Sequence, residues 1–336
     1  MTSRTLSRAG LALGVTLALC AAPALADDLR TNQALVETGV FLAHSEAEAA
    51  FTRLDADRKE KGAVVTQAKT FVDVGGASFG QAERGERLGY GGGTSQLRVG
   101  IDRDIGGGVV VGAMTAMGAG SVSSGDLSGG TLAQHVDVYG RVEKGSAFAK
   151  LLFGGSVVGF RAIDRGPDAD RVSARAISRN LRLAAQAGGD IVVRGVKVSP
   201  SVGVGLYANA LSGYRERGGA NAFAYRSRLA QAAIGSFRLK AARSFKLDAT
   251  HDLNLEAFVG ADEMLAFDST PLRASNAAGD RIRASWSGSP TGRGVVGGLG
   301  LGTELAKGVD LKFSYDYGSR DGFATHAGRG RLGVSF

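Results

Sequence analysis

From about residue 64 to its last residue the chain alternates apolar and polar side chains with a period of two, and it stops on an aromatic residue inside that pattern. In the final segment, Phe323 to Phe336, Leu332, Val334 and Phe336 share one face. Arg329, Arg331, Gly333 and Ser335 share the other. Soluble chains usually leave polar, frayed residues at their ends. A terminal strand that ends flush on Phe336 reads instead as one required to pair, as when a sheet closes on itself to satisfy every edge.

The same period recurs upstream. Leu97, Val99 and Ile101 alternate with Gln96, Arg98 and Asp102; Val136, Val138 and Val142 alternate with His135, Asp137, Tyr139, Arg141 and Glu143. Leu311, Phe313 and Tyr315 alternate with Asp310, Lys312, Ser314 and Asp316. A soluble sandwich also alternates, but polar faces so densely charged suit a wet barrel interior. The pattern predicts twelve strands, near 64–79, 94–104, 108–122, 131–144, 146–162, 174–194, 196–214, 223–240, 247–267, 291–306, 308–318 and 322–336. Tight turns at 106–108, 144–146 and 307–308 alternate with longer polar stretches at 163–173, 214–222 and 268–290, as expected of short periplasmic turns and long outer loops. An even strand number places both ends of the barrel on the periplasmic side.

No internal stretch approaches the ~18–20 apolar residues of a membrane-crossing helix. Alternating strands escape that test, because lipid-facing and lumen-facing residues average out. The N-terminus has the pattern of a signal peptide over residues 1–26: Arg4 and Arg8, an apolar run from Leu11 to Leu19, then Ala24-Leu25-Ala26 as the cleavage pattern. The one cysteine, Cys20, lies in that segment, after Leu19 rather than the small residue a lipoprotein site wants. Cleavage after Ala26 leaves no thiol for disulfide chemistry. The net charge of +8 falls to +6 once Arg4 and Arg8 are removed. The basic residues are spread along many segments rather than clustered, so nucleic acid is not an expected partner.

Residues 29–61 are expected to be helical. They lack proline and place Glu37, Glu46 and Glu48 before Arg53, Arg58, Lys59 and Lys61, an order that suits the helix dipole. Gly62 is the expected stop. Leu35, Leu42 and Leu54 form only a weak apolar stripe and Gly39 weakens the helix, so it is expected to need a polar surround. At ~1.5 Å per residue it would run roughly 45–50 Å, longer than a ~30 Å hydrocarbon core. Residues 27–62 are therefore read as an N-terminal helix and 63–336 as the barrel.

On these hairpins, on the closing stretch from Gly308 to Gly318, and on His326 and the last strand ending in Phe336, the region 64–336 resembles the autotransporter β-domain, the translocator barrel of type V secretion. The resemblance implies an all-β fold: a transmembrane antiparallel barrel of twelve strands with an N-terminal helix in the lumen as a pore plug. It implies a place in the cell outer membrane of a Gram-negative bacterium, with outer-membrane lipid, periplasmic chaperones and the barrel assembly machinery as partners. The family's terminal assembly signal maps onto Leu332, Val334 and Phe336. Two features depart from the family's pattern. Cleavage at Ala26 leads almost directly into the helix and leaves no passenger, and the helix lacks the Asn-Asn pair that some members use for self-cleavage.

No catalytic constellation or cofactor site is expected. His44, His135, His251 and His326 lack metal-ligand spacing. Glycine runs such as 91–93 lack the strand–helix context of a phosphate loop. Arg98, Asp102, Arg141, Arg226 and Arg228 are the residues expected to face the lumen, where the arginines would favour anions or hold the acidic part of the helix. The expected function is a structural or surface-display barrel with no passenger enzyme. Its rival is an outer-membrane channel for small solutes, anionic ones included.

Overall fold

The computed structural model describes residues 29–56, 68–84, 88–247, 252–285 and 292–336. Twelve long strands run in order: β1 (Ala68–Gln81), β2 (Tyr90–Gly106), β3 (Val109–Ser124), β4 (Leu127–Lys144), β5 (Ala147–Arg165) and β6 (Val172–Gly189). They continue as β7 (Val196–Leu211), β8 (Arg228–Lys246), β9 (Asp252–Ser269), β10 (Gly292–Ala306), β11 (Val309–Arg320) and β12 (Phe323–Ser335). Each strand pairs antiparallel with the next. The circuit is closed by β1 against β12, in register from Lys69↔Ser335 to Gln81↔Phe323. The Phe336 amide extends that seam by donating to the Ala68 carbonyl at 3.1 Å.

The pleat sorts the side chains. Leu97, Val99, Ile101, Val136, Val138, Leu151, Phe153, Leu181, Val202 and Leu299 are exposed on the outer face, together with Leu332, Val334 and Phe336. Gln96, Arg98, Asp102, His135, Asp137, Arg141, Lys150 and Arg182 are buried on the inner one. A soluble monomer would not expose so large a continuous apolar belt; a lipid-spanning barrel needs one. Tyr315 and Tyr317 lie on the same outer face, with the Tyr315 hydroxyl 2.7 Å from His326 Nδ1.

Tight turns stand where the sequence placed them. Gly106, Gly107, Gly108, Gly145 and Gly308 all take positive φ there, the backbone that primed hairpin turns require. Several strand limits differ from expectation. The second and fourth strands start earlier, at Tyr90 and Leu127 rather than 94 and 131; the eighth runs from Arg228 to Lys246 rather than 223–240; and the sixth stops at Gly189, leaving Ile191–Val193 to pair with the start of β7. The expected starts of the first and ninth strands, 64–67 and 248–251, lie outside the described residues. The polar stretches 214–222 and 268–290 are not plain loops. Tyr214–Arg215, Phe223–Tyr225, Leu272–Asn276 and Arg281–Ala284 form a separate four-stranded sheet across the barrel end that carries the long connections.

A 3-10 turn (Arg30–Asn32) leads into α1 (Gln33–Ala56). Its 24 residues correspond to ~36 Å of helix. The expected extension to 61 and the stop at Gly62 lie outside the described residues. Side chains on every side of α1 are buried or half-buried, so the helix is enclosed rather than laid on a surface. It leans on the wall formed by β3 to β8. There the surround is partly apolar, not wholly polar as expected: Val36, Val40, Ala43, Ala47 and Ala50 join one core with Met114, Ala133, Leu152, Ala184 and Ala232.

Many glycines serve to let large inner side chains lie flat. Phe71 is opposite Gly100 across β1 and β2, and a Cβ there would come within 2.5 Å of both the Phe71 ring and the Ala113 carbonyl oxygen. Arg53 of the helix then stacks on the other face of that ring, 3.3 Å from its centroid. Gly100→Leu should therefore reduce the fraction of chain that reaches the compact, heat-modifiable form in gel electrophoresis, by overpacking worth ~1–3 kcal/mol; unchanged folding would refute this role for Gly100.

Candidate functional site: the helix in the lumen

The lumenal helix carries carboxylates that the wall must neutralise, since an isolated charge in so enclosed a place is costly. Glu46, at mid-helix, is fully buried. Arg98 of β2 grips it with two bonds, Nε to Oε2 at 3.0 Å and Nη2 to Oε1 at 2.8 Å. The same guanidinium donates to Asp73 Oδ1 at 2.9 Å and to Gln96 Oε1 at 2.6 Å. A planar fork suits this bidentate grip as a lysine would not.

Wall residues also complete the C-terminal turn of α1, whose last carbonyls have no partner within the helix. Arg141 Nη1 donates to the Leu54 carbonyl at 2.9 Å, and Lys150 Nζ to the Phe51 carbonyl at 3.2 Å. Both cations also pair with Asp55, at 3.3 and 2.5 Å. Positive charge at this end suits the helix dipole as well. Arg53 pairs with Asp102, which also accepts from the Tyr139 hydroxyl at 2.7 Å. Nearer the N-terminus, Asn209 Nδ2 donates to the Val36 carbonyl at 2.7 Å. Gly39 makes that approach possible: a Cβ there would stand 2.1 Å from Asn209 Nδ2. The glycine that weakens the helix as a peptide is thus a point where it meets the wall closely.

The N-terminal end is held from the outer sheet. Asn32 accepts from the Tyr214 hydroxyl through Oδ1 and donates from Nδ2 to the Tyr225 hydroxyl at 3.4 Å. Tyr214 and Tyr225 stack with centroids 4.6 Å apart. Beneath them the buried Glu216 receives Arg165 in a two-bond pair at 2.8 and 3.0 Å. Arg228 of β8 donates to Gln33.

Of the residues expected in the lumen, Arg98, Asp102, Arg141 and Arg228 are buried and meet α1, together with its charged groups in the first three cases. Arg226 is placed differently: it is exposed, because it bridges the outer sheet and β8 just above the point where the barrel's inside–outside alternation starts. Arg98 holds Glu46 of the acidic part of the helix, whereas Arg141 pairs with Asp55 in its last turn. Several contributors were not among the expected lumen residues, although Asp137 was placed on a polar face. Arg182 and Asp137 form a fully buried wall pair with both bonds at 2.6 Å; Arg238 reaches Asp262 at 2.6 Å and Glu48 at 3.3 Å. Their even spacing within inward faces was a usable signal, although the partner strand was not.

On the side of α1 away from the β3–β8 wall, the half-buried stripe Phe41, His44, Ser45, Glu48 and Thr52 faces a cavity of about 160 Å³. A second, of about 60 Å³, follows towards Asp55. Glu48, Thr52, Arg238, Phe258 and Asp316 line both. Phe41 closes one end against Phe79 and Phe323, with centroids 4.6 and 5.4 Å away. His135 is buried in the wall and His44 lies 3.0 Å from the Tyr207 hydroxyl; His251 lies outside the described residues. Among the described residues no group of three or more His, Cys, Asp or Glu could hold a metal.

A closed, lipid-belted twelve-strand barrel with a charge-clamped helix inside defines an outer-membrane translocator-type β-barrel. The autotransporter beta-domain family model matches residues 70–316, and the chain belongs to that family. Its fold is similar to the translocator domain of autotransporter NalP from Neisseria meningitidis, at TM-score 0.69 and 19% identity, covering 88% of this chain and 97% of that one. It is also similar to the beta domain of the Bordetella autotransporter BrkA, at TM-score 0.61 and 17% identity, covering 80% of this chain and all of that one (100%). No curated protein sequence matches the chain.

Removing one partner of a buried ion pair costs ~3–5 kcal/mol, because the other is left uncompensated. Arg98→Ala strands Glu46, whereas Glu46→Gln leaves Arg98 its bonds to Asp73 and Gln96. The arginine variant should therefore lose its heat-modifiable form at a clearly lower temperature than Glu46→Gln. The reverse order would refute the assignment of Arg98 as the main clamp.

Proposed function

We propose that this chain is an outer-membrane barrel sealed by its own N-terminal helix, with a structural or surface-display role carried by its outer face. The observation that carries this reading is the clamping of α1 along its whole described length, by Arg228 and Asn32 contacts at one end, Arg98 at the middle and Arg141 with Lys150 at the other. A helix meant to leave the lumen freely would not need so many buried partners. The outer sheet supports display, since it is a folded surface built from the two longest connections. In planar bilayers the full mature chain should conduct poorly, and a chain starting near residue 63 should conduct several-fold more. Equal large currents from both would favour the rival reading, a channel for small solutes, which the two lumenal cavities and the basic wall residues support.

Export on residues 1–26, with cleavage after Ala26, and delivery by periplasmic chaperones to the barrel assembly machinery belong to the same proposal. Leu332, Val334 and Phe336 would be the terminal signal; their shared outward face and the flush β1–β12 seam support it. The outer-membrane fraction should contain a heat-modifiable protein beginning at Asp27. Phe336→Ala should lower its amount there several-fold, and unchanged assembly would remove the terminus from this role.

A further inference from the structure

The outer surface of β5 and β6 carries a cationic cluster that the lumenal clamps do not use. On β6 the outward positions run Ala187, Ala185, Leu183, Leu181, Arg179, Ile177, Arg175 and Ser173, towards the end with the long connections. The apolar run from Ala187 to Ile177 spans ~33 Å along the strand at ~3.3 Å per residue, or ~25 Å of height at a tilt of ~40°, the usual height of a barrel's lipid belt. Arg179 sits just inside its upper edge and Arg175 just beyond it. Arg161 of β5 is also exposed and lies beside Arg175, at the bulge between Phe160↔Ala176 and Ile163↔Ala174. Arg217 is exposed next to them, paired in register with Ser173. No carboxylate stands within ion-pair distance of Arg161, Arg175, Arg179 or Arg217 among the described residues; the carboxylates found in ion pairs on this edge, Asp168 and Glu216, are taken by Arg171 and Arg165.

Four arginines at the rim of a lipid belt need an anion from the membrane itself. Lipid-facing cations are unfavourable in the hydrocarbon and are relieved only near the interface, where their long stems snorkel to polar headgroups. Guanidinium groups recognise phosphate through bidentate, charge-assisted bonds. Arg175 and Arg179 on one strand are ~13 Å apart, with Arg161 close to the first, so the cluster spreads over two phosphate positions rather than one. We propose that the outer rim of β5 and β6 binds the phosphates of a bis-phosphorylated glycolipid of the outer leaflet through Arg161, Arg175 and Arg179, with Arg217 at its upper edge. The site rests on the outer-membrane reading and on the long connections facing outwards.

The test uses the full mature chain folded in detergent, with bis-phosphorylated lipid A as the probe and native mass spectrometry as the readout. Wild-type protein should retain the probe, and the triple variant Arg161→Gln, Arg175→Gln, Arg179→Gln should bind it about tenfold or more weakly, as expected for lost charge-assisted contacts. Arg243→Gln with Lys246→Gln, at the opposite end of the barrel, should bind as wild type does. Dephosphorylated lipid A should bind wild type as weakly as the triple variant binds the intact probe, a comparison that needs no variant to fold. Equal binding of the two lipids by wild type, or undiminished binding by a folded triple variant, would overturn the site. Equal retention of phosphatidylglycerol would overturn the glycolipid assignment. Heat-modifiable mobility, measured on the same samples, reports separately on the barrel reading, so a folded barrel that ignores the probe sinks only this inference.

Discussion

Every other feature depends on the pairing of the first strand with the last. In hydrocarbon an unpaired backbone amide or carbonyl has no water to turn to, so a membrane sheet is viable only when it has no edge. The seam from Lys69↔Ser335 to Gln81↔Phe323 supplies that closure. Once the sheet is closed, the pleat has only two environments to offer. One set of side chains must tolerate lipid and the other must fill or hydrate a lumen. The apolar belt and the charged interior are two consequences of one constraint.

Closure also creates the problem that the helix solves. The lumen walls carry many ionisable groups, and inside the barrel they are largely shielded from water. Some satisfy one another within the wall, as Arg182 and Asp137 do. Others wait for the helix: Arg98 for Glu46, Asp102 for Arg53, Arg141 and Lys150 for Asp55 and the last helical carbonyls. The fit is reciprocal. α1 brings groups that need the wall, the wall brings groups that need α1, and Gly39 lets the two come close enough beside Asn209. The outer sheet adds a third partner by reaching Asn32 through Tyr214 and Tyr225. A helix so held is part of the packed interior rather than a guest in a pore.

The sequence by itself determined the strand count, the inner and outer faces and the presence of an N-terminal helix. The period of two, the proline-free run with its acidic-to-basic charge order, and the glycines of the tight turns are local properties that each segment carries without its neighbours. Partner choice was not legible. That Arg98 would meet Glu46, or that Lys150 would cap the Phe51 carbonyl, depends on how far α1 is inserted and how it is rotated against the wall, and no local pattern encodes either. The outer sheet was invisible for a related reason: its strands are two to five residues long, come from connections far apart in the chain, and are stable only because they pack together over the helix end. Arg226 shows the limit in one residue. Its chemistry suited the lumen, but only the tertiary structure, by starting β8 at Arg228, decided that it would be exposed.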